Sequence, residues 1–424
     1  MKIILVLLDG LGDRTYSALQ DLTPLQAAIT PNLDRLARIG SNGLFHAGLL
    51  GQCLPSETAH YLLFGYDLED FPGRGLLEAV GDNIPFEDQD VLCLSHLSGV
   101  TWQKDIPILS HGRKDIPGST EDIGRIFGTL SPYETHSVKF QLHQTRRNDA
   151  ILVMKGDVSP YVSDSDPMIL GKPVARIEPL EDNPEPEKAR NTAQAMNTYL
   201  SYCHKILLDH SPANFLTTQR CGRRVKQHKF KDQWGFSGLL IASESMYIGL
   251  ARELGLTAIR AKSSNDPEQD LRERIRLALE DPEHDFIHVH LKDTDEAAHT
   301  GDPEKKMNVI SALDRGLDEL LRVIEEKNDL LVVVTADHST PSMSPLIHSG
   351  EPVPVVVIGP NVRRDRVEAF DEISAAEGCL GLIRGRELMC MILNYSDRAV
   401  LFGHQMGGSK RPYFPVSYAP FKLV

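Results

Sequence analysis

The sequence predicts an α/β fold: a doubly wound, mostly parallel sheet with helices on both faces and a smaller α+β domain inserted into it. Three observations carry this prediction. Apolar, β-prone runs recur at Ile3–Leu8, Phe286–Leu291, Leu330–Thr335 and Pro354–Ile358, too uniformly apolar for strands with one wet face. Between the second and third runs, Met307–Lys327 places Ile310, Leu313, Leu317, Leu320, Leu321 and Ile324 at helical spacing. From about residue 90 to 180 the pattern changes to short β-like pieces, such as Ser137–Leu142 and Ala150–Lys155, set among many turn residues.

Taken in chain order, Ile3–Leu8 opens a central strand that stops at Asp9-Gly10-Leu11-Gly12. Pro55-Ser56-Glu57-Thr58 precedes an apolar stretch, so Ser56 reads as a helix N-cap. The acidic, proline-rich Glu181–Glu187 looks like a solvated linker, and Lys188–His210 like the helix that returns the chain to the main sheet. Leu239–Leu254 reads as a further helix and Thr257–Ile259 as a strand. Strand, helix and strand in alternation give the parallel, doubly wound expectation. The larger domain is expected at residues 1–88 and 182–424, and the inserted cap at 89–181.

Composition narrows the function classes. The 424 residues are 41% hydrophobic and 25% charged, which is globular usage rather than disorder. With 45 Lys and Arg against 59 Asp and Glu the net charge is −14, so nucleic acid and anionic membranes are poor partners. The six cysteines form no C-x-x-C pair and suggest reduced thiols. The first apolar run is too short for a signal segment or a membrane span. These features together place the protein in the cytoplasm, and they leave its oligomeric state open.

Chemistry in such sheets gathers beyond the carboxyl ends of the strands, and three of the four strongest runs end in carboxylate or imidazole. Asp9 alone would read as a turn or helix cap. Asp295 and His299, at i and i+4, share one helical face and can grip a single cation. Asp337-His338 follows a buried strand, and His348 lies ten residues on. Together these make three carboxylates and three imidazoles, about what two divalent ions need while leaving positions open for substrate. Mixed oxygen and nitrogen donors suit Mn²⁺ best, with Zn²⁺ or Mg²⁺ as alternatives, and suit Ca²⁺ poorly. Ser56, at a helix N-terminus that favours phosphate, is the candidate nucleophile. His60 reads as a supporting or packing residue, and His288 and His290 as core hydrogen-bonding groups. No Walker A or kinase glycine-rich loop is present, so an ATP donor would need another kind of site.

These motifs resemble the archaeal-type cofactor-independent phosphoglycerate mutases of the alkaline phosphatase superfamily. The resemblance runs collinearly from Leu8-Asp9-Gly10-Leu11-Gly12-Asp13-Arg14 through Thr23–Asp34, Ser56–His60, Gly73-Arg74-Gly75, His290–His299, Asp337–Pro341 and His348 to Ile383-Arg384-Gly385 and Met389. It implies an alkaline-phosphatase-like fold and transfer of a phosphoryl group between the 3- and 2-hydroxyls of glycerate through a phosphoserine at Ser56. By the same resemblance Asp9, Ser56, Asp337 and His338 hold one metal, and Asp295, His299 and His348 the other. Arg74, Lys292, Arg384 and Arg147 are the candidate cations for a small phosphorylated substrate. Substrate-binding positions depart from the family: Leu94 and His96 stand where Arg and Asn are usual, and Asn148-Asp149 where a His-Arg pair is expected. A related phosphotransferase or phosphatase, such as a proposed homoserine kinase, and a catalytically silent binding protein on the same scaffold are the alternatives.

Overall fold

The computed structural model describes residues 1–326 and 329–423. Its strands are β1 (Lys2–Leu8), β2 (Ser41–His46), β3 (Val91–Gln103), β4 (Ile106–His111), β5 (Tyr133–Thr135), β6 (Val138–Arg146), β7 (Asp149–Gly156), β8 (Phe215–Gly222), β9 (Gly238–Ala242), β10 (Thr257–Arg260), β11 (Phe286–Leu291), β12 (Leu330–Thr335), β13 (Val353–Ile358) and β14 (Gly381–Arg384). The chain divides into two compact units, Met1–Asp70 with Gln227–Val424, and Phe71–Lys226.

The larger unit is built on an eight-stranded sheet in the order β10-β9-β11-β1-β12-β13-β2-β14. β10, β9, β11, β1 and β12 are parallel. β13 is antiparallel to both of its neighbours, and β14 pairs parallel with β2, so β13 alone runs against the rest. Ile3–Leu8 are fully buried, as continuous apolar runs require of strands covered on both faces. The carboxyl ends of β1, β11 and β12 therefore open on one edge.

Several elements differ from expectation. Leu239–Ala242 is strand β9, and the helix begins only at Ser245; a short apolar run does not distinguish buried strand from buried helix. The helix expected over Met307–Lys327 is two, Pro303–Gly316 and Asp318–Glu326, meeting at Leu317, and Lys327 lies outside the described residues. The expected domain limits at 88/89 and 181/182 differ from the division at 70/71 and 226/227. The reason is packing: the helix Pro186–Leu207 stacks Tyr199 on Phe140 of β6 at 4.5 Å and belongs to the smaller unit. Glu185, within the expected linker, pairs with Arg223 at 2.7 Å in that same unit.

The smaller unit carries a sheet in the order β4-β3-β7-β6-β5 with β8 also on β3, every pairing antiparallel. Its core gathers Val91, Leu97, Phe127, Phe140, Leu152, Tyr199 and Leu216. His96 and Asp149, two of the departures from the family pattern, face each other across β3 and β7 and pair at 2.7 Å. No helix of the described residues is long and apolar enough to cross a membrane.

Candidate active site

Three parallel strands deliver the central residues. β1 leads directly into Asp9, β12 leads into Asp337-His338, and β11 leads through Lys292 into the short helix Asp293–Ala298, which carries Asp295 and is capped by His299. The loop after β1 can lie this close only because of glycine. A Cβ on Gly10, at φ +65°, would stand 2.5 Å from Thr340 Oγ1.

Ser56 corrects the sequence reading in an informative way. The N-cap of the Ser56–Leu63 helix is Pro55, which offers no side-chain cap bond, and Ser56 is the first residue of the helix. The hydroxyl instead lies 3.0 Å from His338 Nε2, buried.

Ligand-type atoms of Asp9, Asp337 and His338 lie within 4.8 Å of one another, as do those of Asp295, His338 and His348. His338 is common to both groups. His299 Nε2 is 3.3 Å from Asp295 Oδ1, and its ring is 5.6 Å from that of His348.

Donor accounting shows what these groups lack. Thr340 Oγ1 donates its one hydrogen to Asp295 Oδ1 at 2.8 Å, so the contact of 3.2 Å between Thr340 Oγ1 and His338 Nδ1 assigns a proton to Nδ1. The lone pair at His338 Nε2 then faces Asp337 Oδ2 at 3.2 Å and Asp9 Oδ1 at 3.5 Å, two buried oxygens that accept no hydrogen bond. His348 repeats the arrangement. Its Nδ1 donates to the Leu54 carbonyl at 2.8 Å, so in the neutral ring the lone pair lies at Nε2, 3.4 Å from Asp295 Oδ1. Apart from the Ser56 hydroxyl beside His338 Nε2, these converging acceptors have no proton between them and need cations, and each neutral imidazole is held in the tautomer that presents Nε2 to a metal. The donor set fits divalent ions.

The surroundings favour ionised carboxylates. Asp9 Oδ2 accepts from Tyr247 Oη, from His290 Nε2 at 3.0 Å and from Lys292 Nζ at 3.2 Å. Burial pushes the Asp9 carboxyl up, but Lys292 and His290 bring it well below the usual carboxylate range. For Asp295 burial is again opposed, by Lys292 at 3.1 Å and by His299, with the same net direction. Burial holds His338 below its ordinary value and His290 down at about 4, which keeps both imidazoles neutral at physiological pH.

Of the candidate substrate cations, Lys292 alone stands among these carboxylates. Arg384 is exposed at the end of edge strand β14, four positions from β1 in the sheet, on the order of 20 Å at about 4.8 Å per strand. Arg74 pairs with Glu78 at 2.8 Å, and Arg147 lies exposed in the turn between β6 and β7, both in the smaller unit. Sequence reasoning missed Tyr247, a tyrosine inside a helical pattern with no signal at distance, and assigned no role to Thr340, although it lies in the matched Asp337–Pro341 motif. His290 was legible in part, since it shares a strand face with His288; the two rings lie 5.2 and 5.4 Å from that of His60.

A parallel sheet whose strand ends gather carboxylates and metal-ready imidazoles around a buried serine defines a metal-dependent enzyme of phosphoryl chemistry. Consistent with that class, the family model described as metalloenzyme superfamily matches residues 1–395. Within it the chain belongs to the family of 2,3-bisphosphoglycerate-independent phosphoglycerate mutases. It is 41% identical to phosphoglycerate mutase 2 of that kind from Methanocaldococcus jannaschii, with 98% of each chain covered. It is 34% identical to the corresponding enzyme of Methanopyrus kandleri, over 95% of this chain and 98% of the other. Among solved structures, a Pyrococcus horikoshii protein matches with TM-score 0.72 at 26% identity, over 95% of this chain and 99% of the other. The cofactor-independent phosphoglycerate mutase of Thermoplasma acidophilum matches with TM-score 0.61 at 28% identity, over 93% of this chain and all of the other.

Proposed function

We propose that the chain interconverts 3-phosphoglycerate and 2-phosphoglycerate without added bisphosphoglycerate, with Ser56 as the group transiently phosphorylated. The observation that carries this is the convergence of unpartnered carboxylate oxygens of Asp9 and Asp337 on His338 Nε2, beside the Ser56 hydroxyl. Family membership favours the mutase over the kinase-like, phosphatase and silent-scaffold alternatives.

Asp9, Ser56, Asp337 and His338 would hold one divalent ion, and Asp295, His299 and His348 the other. His338 stands within reach of both groups. Mn²⁺ suits the mixed donors best. Such ions lower the pKa of a bound hydroxyl and neutralise charge on a transferring phosphoryl group. The Ser56 hydroxyl, 3.0 Å from His338 Nε2, would share the ion with that nitrogen, which leaves an oxygen lone pair for attack on phosphorus. As the Ser Oγ–P bond forms, the ester bond to one glycerate hydroxyl breaks and the departing oxygen takes up the proton that Ser56 gives up. The second transfer runs in reverse onto the neighbouring hydroxyl. Lys292, held by Asp9 and Asp295, is the cation placed for the substrate phosphate; Arg384 is exposed on edge strand β14, and Arg74 and Arg147 belong to the smaller unit. The smaller unit is proposed as the cap that shelters the phosphoserine from water. The six free thiols suit a cytoplasmic enzyme.

The test is conversion of 3-phosphoglycerate with Mn²⁺ and no bisphosphoglycerate, beside other phosphorylated hydroxy acids and ATP with homoserine. Ser56→Ala should abolish turnover while leaving the fold, since no cap bond is lost. Phosphate trapped on any other residue, or turnover only with ATP, would refute the assignment.

A further inference from the structure

We infer that Lys306 is a positioning residue for the metal centre: its ammonium sets the spacing between the loop that carries Asp9 and the loop that carries Asp337 and His338. The inference rests on the metal-centre reading above and goes beyond it, because Lys306 touches neither substrate nor any of the proposed ligands.

Lys306 lies in the first turn of the Pro303–Gly316 helix and is fully buried. A lysine is almost never enclosed in this way unless every donor is met. Here the three N–H groups find three acceptors: the Thr340 carbonyl at 2.8 Å, the Gly12 carbonyl at 2.9 Å and Asp13 Oδ2 at 3.2 Å. Gly12 is three residues beyond Asp9, and Thr340 two beyond His338. One cation therefore joins both ligand-bearing loops through their backbones.

The two loops are otherwise in close contact. Thr340 N donates to the Gly12 carbonyl at 2.9 Å, and a Cβ on Gly12 would stand 2.2 Å from Ser339 Oγ. Asp13 also accepts from the Ser342 backbone and hydroxyl. This seam brings five electronegative oxygens together: the Gly12 and Thr340 carbonyls, the two Asp13 carboxylate oxygens and the Ser342 hydroxyl. Lys306 is the one ammonium bonded into the seam among the described residues. Without it the carbonyls at the seam repel, and the loops move apart at the point where Asp9 and His338 must stay within reach of one ion. Thr340 extends the effect, because its hydroxyl orients both Asp295 and His338 Nδ1. Groups hydrogen-bonded to ligands, as Thr340 is, typically change metal affinity by about 10-fold to 100-fold when removed.

The experiment titrates Mn²⁺ into chelated full-length protein by calorimetry, with thermal unfolding of the chelated form alongside. Wild type is compared with Lys306→Met and with the double variant Lys306→Met/Asp13→Asn, which removes the buried charge that the single change would strand. The double variant should fold, weaken Mn²⁺ binding by about 10-fold or more, and regain turnover when Mn²⁺ is raised. A purely structural lysine would lower the unfolding temperature of the chelated protein with both Mn²⁺ affinities unchanged, and that result overturns the inference. Should neither Met variant fold, Lys306→Arg keeps the charge while moving the donors outward, and unaltered Mn²⁺ affinity in it is equally decisive against. A wild type that binds no Mn²⁺ would overturn the metal centre itself, an outcome distinct from failure in the variants alone.

Discussion

The two acceptor groups of the site are built differently. Asp9 and Asp337 are enclosed at the ends of central strands, and Asp9 carries three donors on its second oxygen. In the second group Asp295 is buried but His348 hangs from a loop, with its side chain 12% exposed, and the neighbouring His299, at the end of a six-residue helix, is 28% exposed. A preorganised group on strand ends holds geometry with little conformational freedom to lose, whereas a group on a short helix and a loop can open for exchange. The buried half should therefore govern chemistry and the exposed half metal exchange.

The largest effect that tests this contrast comes from the buried half. Asp337→Asn should reduce turnover by about 10³-fold, and added Mn²⁺ should restore little of it. Chelation comes next. Removing metal from wild type should lower folding stability by about 4 kcal/mol when compared with protein at free Mn²⁺ 1,000 times its dissociation constant, and the difference should shrink sharply in Asp337→Asn, as read by thermal unfolding with and without chelator. His299→Gln should cost less, about 10²-fold at limiting Mn²⁺, and saturating Mn²⁺ should recover most of the activity. Equal and irreversible losses at Asp337 and His299 would erase the distinction between the halves. The smallest change is expected where the halves join. Thr340→Val should weaken metal binding by about 10-fold at both groups, because it removes the bonds to Asp295 and to His338 Nδ1 together, and an effect confined to one group would show that the halves are independent.

Much of the larger unit was legible from local pattern. Ile3–Leu8, Phe286–Leu291 and Leu330–Thr335 each coincide closely with a strand, because strands covered on both faces leave an unbroken apolar run. Leu239–Ala242 was misread since four or five apolar residues fit either element, and the true helix start at Ser245 has no side-chain cap to mark it. The helix Pro186–Leu207 was recognised as a helix but assigned to the wrong body, for amphipathicity shows that a face is buried and not which sheet buries it. The direction of β13 was equally hidden, since an apolar strand reads alike in either sense.

What the sequence by itself determined is the inventory and its approximate address: which residues can hold a cation, and that they follow buried strands in a parallel sheet. Only the tertiary structure decided how that inventory divides. It drew Ser56 off its expected cap role onto His338, set His338 between two acceptor groups, and closed Tyr247, Thr340 and Lys306 around them. It also separated Arg384 from the centre by the width of the sheet. The physical reason is that periodicity and propensity act over a few residues. Tautomers, lone-pair directions and the enclosure of a lysine depend on atoms brought within about 3 Å by packing, from segments as distant along the chain as Gly12 and Lys306.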